Sequence, residues 1–386
     1  MKLVADWMDR ADLAVLVAAL GPGMARYVGG AVRDTLLDLP VKDIDMATVL
    51  EPAETMARLR SAGIRVVPTG IEHGTVTAVL EGGPVEVTTL RRDVSTDGRR
   101  ATVVFSTDWR EDAARRDFTI NALYADPVDG EIADFFGGLD DLAARRVRFI
   151  GDARERIRED HLRILRYFRF QARFGAAADT EAESACAELA PTLRGLSRER
   201  VGMELFALLA LPDPAPTVAR MAELGVLREV LPEVGDLGEL ARLPDAEAAA
   251  GMAPVAIRRL AAMLPADPAV AEQVAARLRL SGAQRKRLGL LAARGDGVTH
   301  PRALAWQIGV EPARDRLLLA GADVAPLADW VPPVFPLKGG AIVARGVQAG
   351  PEVARVLRAV EAAWVAEGFP DAARVEALLG AALGKG

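Results

Sequence analysis

The chain is poor in the residues that carry redox and soft-metal chemistry. Among 386 residues there is one cysteine, Cys186, and there are three histidines, His73, His161 and His300. A single cysteine excludes an internal disulfide and a Cys-rich zinc cluster, and its surroundings, EAESACAELA, read as a helix in which a small side chain fills the core. No histidine stands in an H-x-x-x-H spacing, so zinc hydrolysis of that kind is excluded. Nowhere does an apolar run approach the roughly 18 residues of a membrane span. The first segment, MKLVADWMDRADLAVLVAAL, mixes acids with its apolar residues and lacks a basic start with a small-residue cleavage site, which points to the cytoplasm. Aromatic residues are 5% of the chain, too few for the extended stacking platforms of single-strand binders.

Lysine is also scarce, with five among 48 basic residues, and the net charge is −6. The acidic total argues against a broad basic footprint for nucleic acid. The nearly all-arginine supply of positive charge favours planar, forked contacts to phosphates and base edges, although a base-composition bias of the source genome would give the same skew.

A chain of this length predicts about two to three units. Up to about residue 140 short β patterns alternate with helices, and beyond about 150 the pattern is helical with Pro and Gly breaks. The fold class expected is therefore α+β, a small mixed sheet followed by all-α segments. Arg26 to Val28 reads as a strand ending in Gly29-Gly30, with a helix from Ala31 to Leu37 and a second strand from Asp43 to Thr48. TVTAVL and VEVTTL, separated by Glu81-Gly82-Gly83-Pro84, read as a hairpin.

Three features of this third point to phosphoryl transfer. The strand period puts Asp43 and Asp45 on one face, about 6 to 7 Å apart, where two acids can share hard cations. Glu86, between two valines that would face the core, points outward and can complete the cluster. Such chemistry needs Mg²⁺ ions about 3.5 to 4 Å apart, with little covalent help from protein. Gly29-Gly30 at a strand-to-helix turn lets main-chain N–H groups approach triphosphate oxygens, and Arg33 can add a fork to the same phosphates.

GGAVRD followed by Asp43-x-Asp45 resembles the signature of the polymerase-β-like superfamily as used by CCA-adding enzymes and bacterial poly(A) polymerases. Four further stretches follow in that family's order: RRDFTINAL (Arg115 to Leu123), DFFGGLDDL (Asp134 to Leu142), EDHLRILRYFRF (Glu159 to Phe170) and SRERVGMEL (Ser197 to Leu205). The resemblance is close from about Tyr27 to Leu205. It implies that Arg116 contacts the triphosphate, that Asp117 and Asn121 hold the site together, and that Arg166 and Arg169 help to hold the triphosphate. It also implies a catalytic head at 1–141, a nucleobase-selecting neck at 142–206, a helical body at 207–290 and a tRNA-binding tail at 291–386, with Mg²⁺ as cofactor and tRNA, CTP and ATP as partners. With no His-Asp pair in the sequence, the phosphohydrolase domain appended to some relatives is not expected, and the polar stretch from Arg91 to Arg110 resembles the mobile loop that switches C to A addition.

The base-selecting segment also has a reading from its residues. Asp160 and Arg163, three apart on a helix, point to one side. Asp160 can accept from the exocyclic amine of cytosine or adenine while Arg163 donates to the neighbouring ring acceptor. Uracil and guanine present the reverse pattern, leaving two desolvated groups mispaired at ~1 to 3 kcal/mol each. The plain alternative is a solvated ion-pair face of Glu159, Asp160, Arg163 and Arg166. Rival activities are poly(A) synthesis, addition of CC or A alone, and RNA binding without catalysis. Against poly(A) synthesis stands PTGIEHGTVT where those enzymes carry a basic-aromatic cluster, and intact Asp43, Asp45, Glu86 and Arg163 argue against a non-catalytic binder.

Overall fold

The computed structural model describes residues 1–96, 101–295 and 297–384. It divides into two compact units, one of Met1–Leu208 with Pro216–Pro232, the other of Leu209–Ala215 with the chain from Glu233 onward.

In the first unit, α1 (Ala11–Leu20), β1 (Ala25–Val28), α2 (Gly30–Leu36), β2 (Ile44–Thr48), α3 (Pro52–Ser61), β3 (Arg65–Gly70), β4 (Thr75–Leu80) and β5 (Gly83–Thr89) are followed by β6 (Arg91–Thr96), β7 (Ala101–Phe105), α4 (Trp109–Ala114), β8 (Leu123–Ala125), β9 (Ile132–Asp134) and α5 (Gly138–Ala143). Seven strands form a mixed sheet in the order β3-β4-β5-β2-β1-β8-β9. Only β2 and β5 run parallel, in register from Ile44 beside Val85 to Thr48 beside Thr89. β5 alternates as a half-buried strand should, with Val85 and Val87 in the core and Glu86 exposed. The polar stretch expected to be a mobile loop contains the separate hairpin β6–β7. Its residues 97–100 lie outside the described ones.

DFFGGLDDL is a tight connection. Asp134 accepts from the main-chain N–H groups of Phe136, Gly138 and Leu139. A Cβ on Gly138 would sit 2.3 Å from the Thr119 carbonyl oxygen, so only glycine lets α5 approach the segment carrying Asp117 and Asn121 this closely.

The helices α6 (Ala153–Glu159), α7 (Arg163–Phe174), α8 (Thr180–Leu189) and α9 (Arg198–Leu209) complete most of this unit, with α10 (Ala215–Glu223) and α11 (Leu227–Val230). α7 buries Ile164, Leu165, Tyr167, Phe168, Phe170 and Phe174 and leaves Arg163, Arg166 and Arg169 half-exposed on the other side. Cys186 is fully buried on α8, and burial pushes its thiol pKa well up.

The helix expected to run unbroken through Asp160 is interrupted there. Asp160 adopts an extended conformation (φ −148°, ψ 104°), and its Oδ1 accepts from the Leu162 N–H at 3.1 Å. A short acidic side chain competing for main-chain donors ends one helix and starts the next.

The second unit is all helical: α12 (Gly238–Ala249), α13 (Ala256–Met263), α14 (Pro268–Arg277), α15 (Gly282–Ala292), α16 (Pro301–Ile308), α17 (Val310–Leu319), α18 (Gly339–Val343), α19 (Pro351–Ala366) and α20 (Ala372–Leu383). Trp306, Trp330, Phe335, Trp364 and Phe369 pack together there, Trp306 edge-on to Trp364 at 5.1 Å. No helix among the described residues is long and apolar enough to cross a membrane.

Candidate active site

The site is built where β1 turns into α2. Gly29 sits at φ 68°, a backbone state that favours glycine, and its N–H donates to the Leu123 carbonyl at 3.2 Å, which fixes the turn against β8. Beside it opens a cleft of about 480 Å³ lined by Gly29, Gly30, Arg33, Asp45, Arg91, Arg115, Arg116, Asp117, Asn121, Asp160, Arg163, Arg166 and Phe170. Ten of the thirteen residues predicted from sequence are thus brought to one cavity. Asp43, Glu86 and Arg169 do not line it.

Asp43 precedes β2 rather than lying in it and is exposed. Asp45 is the register partner of Glu86 on the neighbouring parallel strand. Burial first, then the charge of Glu86 and of Asp43, pushes the Asp45 carboxyl up to about 6, while Arg116 works in the other direction. Crowded carboxylates with too little positive charge are a donor set that suits a hard divalent cation. Among the described residues no three acidic, histidine or cysteine side chains close around one point. The three-carboxylate cluster that the sequence leads one to expect, with Glu86 completing Asp43 and Asp45, is therefore not formed among them.

The arginines differ in how firmly they are committed. Arg33 is buried, with Nε 2.8 Å from Asp34 Oδ1 and Nη1 2.5 Å from Asn121 Oδ1, and its guanidinium lies over the rings of Phe174 and Phe170. Its fork is engaged in structure, although the residue lines the cleft. Asn121 Nδ2 donates to Asp117 Oδ1 at 2.9 Å, and Arg166 Nε donates to Asp117 Oδ2 at 2.7 Å. Burial alone would raise the Asp117 carboxyl, but Arg166 and Asn121 hold it below its ordinary value. Arg169 pairs with Glu204 at 2.6 Å and stacks on Phe170.

Asp160 and Arg163 do not pair with each other. Asp160 Oδ2 accepts from Arg200 at 2.7 Å. Arg163 donates to Glu159 Oε2 at 2.6 Å and to the carbonyls of Arg156 at 2.9 Å and Arg115 at 3.0 Å. Of the plain ion-pair face only Glu159–Arg163 forms. The other two charges reach across to different elements.

Sequence reasoning passed over Asp112, Tyr124, Arg115, Arg200 and Glu204. Arg115, Arg200 and Glu204 lie within the motifs RRDFTINAL and SRERVGMEL, and Asp112 stands three and four residues before Arg115 and Arg116, the spacing of helical ion pairs. Both pairs form, at 2.7 and 3.0 Å.

Residues 25–148 match the family described as the poly A polymerase head domain, and residues 177–237 match that described as the probable RNA and SrmB-binding site of polymerase A. The chain is 36% identical over 369 residues to the mitochondrial CCA tRNA nucleotidyltransferase 1 of Mus musculus, covering 89% of this chain and 83% of that one. This chain belongs to the CCA-adding tRNA nucleotidyltransferase family. A bacterial member, the CCA-adding enzyme of Geobacillus thermodenitrificans, is 40% identical over 220 residues, 56% of this chain. The crystal structure of the Bacillus stearothermophilus CCA-adding enzyme in complex with CTP superimposes with a TM-score of 0.76 at 27% identity, covering 92% of each chain. The α+β order of sheet first and helices after is thus the fold of a CCA-adding enzyme.

Proposed function

We propose that this protein adds C, C and A in turn to the 3′ end of tRNA, consuming CTP and ATP and releasing pyrophosphate. The observation that carries the reading is one cleft in which Asp45 of β2, the glycine turn, Arg116, Asp160 and Arg163 all meet. Asp43 and Asp45 would hold Mg²⁺, with Glu86 beside them. The ion supplies activation of the attacking hydroxyl and charge for the leaving pyrophosphate. The protein's own part is positioning. Gly29 and Gly30 let main-chain groups approach the phosphates, Arg116 and Arg166 bring positive charge to them, and Asp117 and Asn121 tie these elements together. Asp160 accepts from the exocyclic amine of C or A, and Arg163 donates to the ring acceptor. The bonds that Arg200 makes to Asp160 and that Glu159 makes to Arg163 support a pre-oriented reader. We assign 1–141 as catalytic head, 142–206 as neck, 207–290 as body and 291–386 as a tail that grips tRNA.

The test is to incubate the protein with Mg²⁺ and a tRNA transcript ending at the discriminator base, with CTP, ATP or both, and to sequence the product 3′ ends. Two C residues with CTP alone and a terminated CCA with both are expected. Long A tails would make it a poly(A) polymerase, a stop at CC a partial enzyme, and no incorporation would end the transferase reading.

Arg163→Ala is expected to relax base choice. Loss of the donor that reads the ring acceptor removes ~1 to 3 kcal/mol of discrimination, so UTP and GTP incorporation relative to CTP and ATP rises roughly tenfold to a hundredfold. Ratios of kcat/KM for the four nucleotides decide it, and unchanged ratios would sink the selector role.

A further inference from the structure

Asp112, on α4, is 1% exposed, yet its two carboxylate oxygens serve four residues. Oδ2 accepts from the Tyr124 hydroxyl at 2.7 Å and from Arg116 Nη2 at 3.0 Å. Oδ1 accepts from Arg115 Nε at 2.8 Å and from the Arg91 main-chain N–H at 3.3 Å. Tyr124 closes a ring, because its hydroxyl also accepts from Arg116 Nε at 3.0 Å. Two of the three guanidinium nitrogens of Arg116 are thereby tied to groups that do not line the cleft. The third, Nη1, lies 3.7 Å from where a Cβ on Gly29 would stand. The body of Tyr124 packs in an apolar cluster with Val28, Ala47 and Leu90, a place a phenylalanine would fill equally well. Its hydroxyl serves only the charged ring.

We infer that Asp112 and Tyr124 are positioning residues that aim Arg116 Nη1, across the glycine turn, at the phosphates of an incoming nucleoside triphosphate. The inference rests on the nucleotidyl-transfer reading above. One carboxylate set against two guanidiniums leaves net positive charge for the phosphates. Burial would lift the Asp112 carboxyl, but Arg116 and Arg115 outweigh it and hold it down at about 2, so the anchor stays charged at any working pH. A fork locked before binding loses less rotamer freedom when phosphate arrives, which is how a residue that touches no substrate strengthens affinity.

Titration of the full-length protein with CTP and with ATP in Mg²⁺ tests this. Tyr124→Phe removes one oxygen and is expected to raise both dissociation constants by the same factor, about fivefold to tenfold, the loss of one charge-assisted hydrogen bond. In an Arg116→Ala background the same change is expected to add nothing, because Tyr124 acts through Arg116. Unchanged affinity in Tyr124→Phe, or an equal loss in both backgrounds, overturns the inference. Asp112→Asn is expected to weaken both nucleotides more than Tyr124→Phe does, and Tyr124→Phe carries the test if that variant fails to fold. Incorporation by the unaltered chain, measured in parallel, separates the two ideas. A chain that binds CTP yet extends no RNA ends the transferase reading and leaves positioning to be judged on the dissociation constants, whereas one that binds no CTP overturns both.

Discussion

Asp45→Asn is expected to lower nucleotide incorporation at least about a thousandfold while leaving the fold intact. The factor corresponds to roughly 4 kcal/mol of transition-state stabilisation, the scale on which a metal-supported charge acts in phosphoryl transfer. Asparagine has nearly the volume of aspartate, so the half-buried position on β2 keeps its packing against the sheet. Removing the charge also relieves crowding with Glu86, its register partner, and with Asp43. Thermal unfolding is therefore expected at the wild-type midpoint or above it. Single-turnover rates with CTP, measured across a wide range of Mg²⁺ concentration, are the check. A variant within tenfold of wild type at every concentration refutes the assignment of Asp45 as a metal-holding residue. A large fall in the unfolding midpoint would mean that the carboxylate supports the fold and not the chemistry.

The parts of this site that sequence made legible are those with local causes. Gly29 marks the turn because its φ of 68° favours glycine, and the Val85-Glu86-Val87 alternation announces a strand with one wet face. Parallel pairing of β2 with β5 joins residues about forty positions apart, and no local pattern states it. That pairing, more than the Asp-x-Asp spacing, is what brings Glu86 beside Asp45. The break at Asp160 was missed because helical periodicity counts apolar positions and is blind to a side chain that captures the Leu162 N–H. From sequence Arg33 can add a fork to the phosphates, but the fold engages that fork elsewhere. Its neighbours Asn121, Phe170 and Phe174 come from segments 88 or more residues downstream, so its burial could be learned only from the fold.

The largest expected effect on stability lies far from this chemistry in sequence. In the second unit Glu247 on α12 is 1% exposed and lies between two buried arginines. It accepts from Arg258 Nη1 at 2.5 Å and from Arg259 Nε and Nη2 at 3.1 and 2.7 Å. Arg258 Nε donates in turn to the buried Asp315 at 2.8 Å, which also takes Arg287 at 2.6 Å. Arg259 spends its remaining donors on the carbonyls of Leu209, Leu211 and Pro212 and so pins the Leu209–Ala215 segment within this unit. Forming such a cluster gains little net free energy, because desolvation offsets most of the attraction, but removing one member leaves buried charge uncompensated. Glu247→Ala leaves the buried Arg259 with carbonyl acceptors and no carboxylate, and leaves Arg258 with Asp315, which it shares with Arg287; it is expected to cost about 3 to 5 kcal/mol. For a unit of this size that lowers the midpoint by roughly 6 to 20 °C. Glu247→Gln, which keeps the acceptor oxygen and loses the charge, should fall between it and wild type. Calorimetry of the whole chain should show the transition of the second unit moving. A shift under 2 °C in Glu247→Ala would mean that water reaches the arginines and the cluster is solvated, contrary to its geometry.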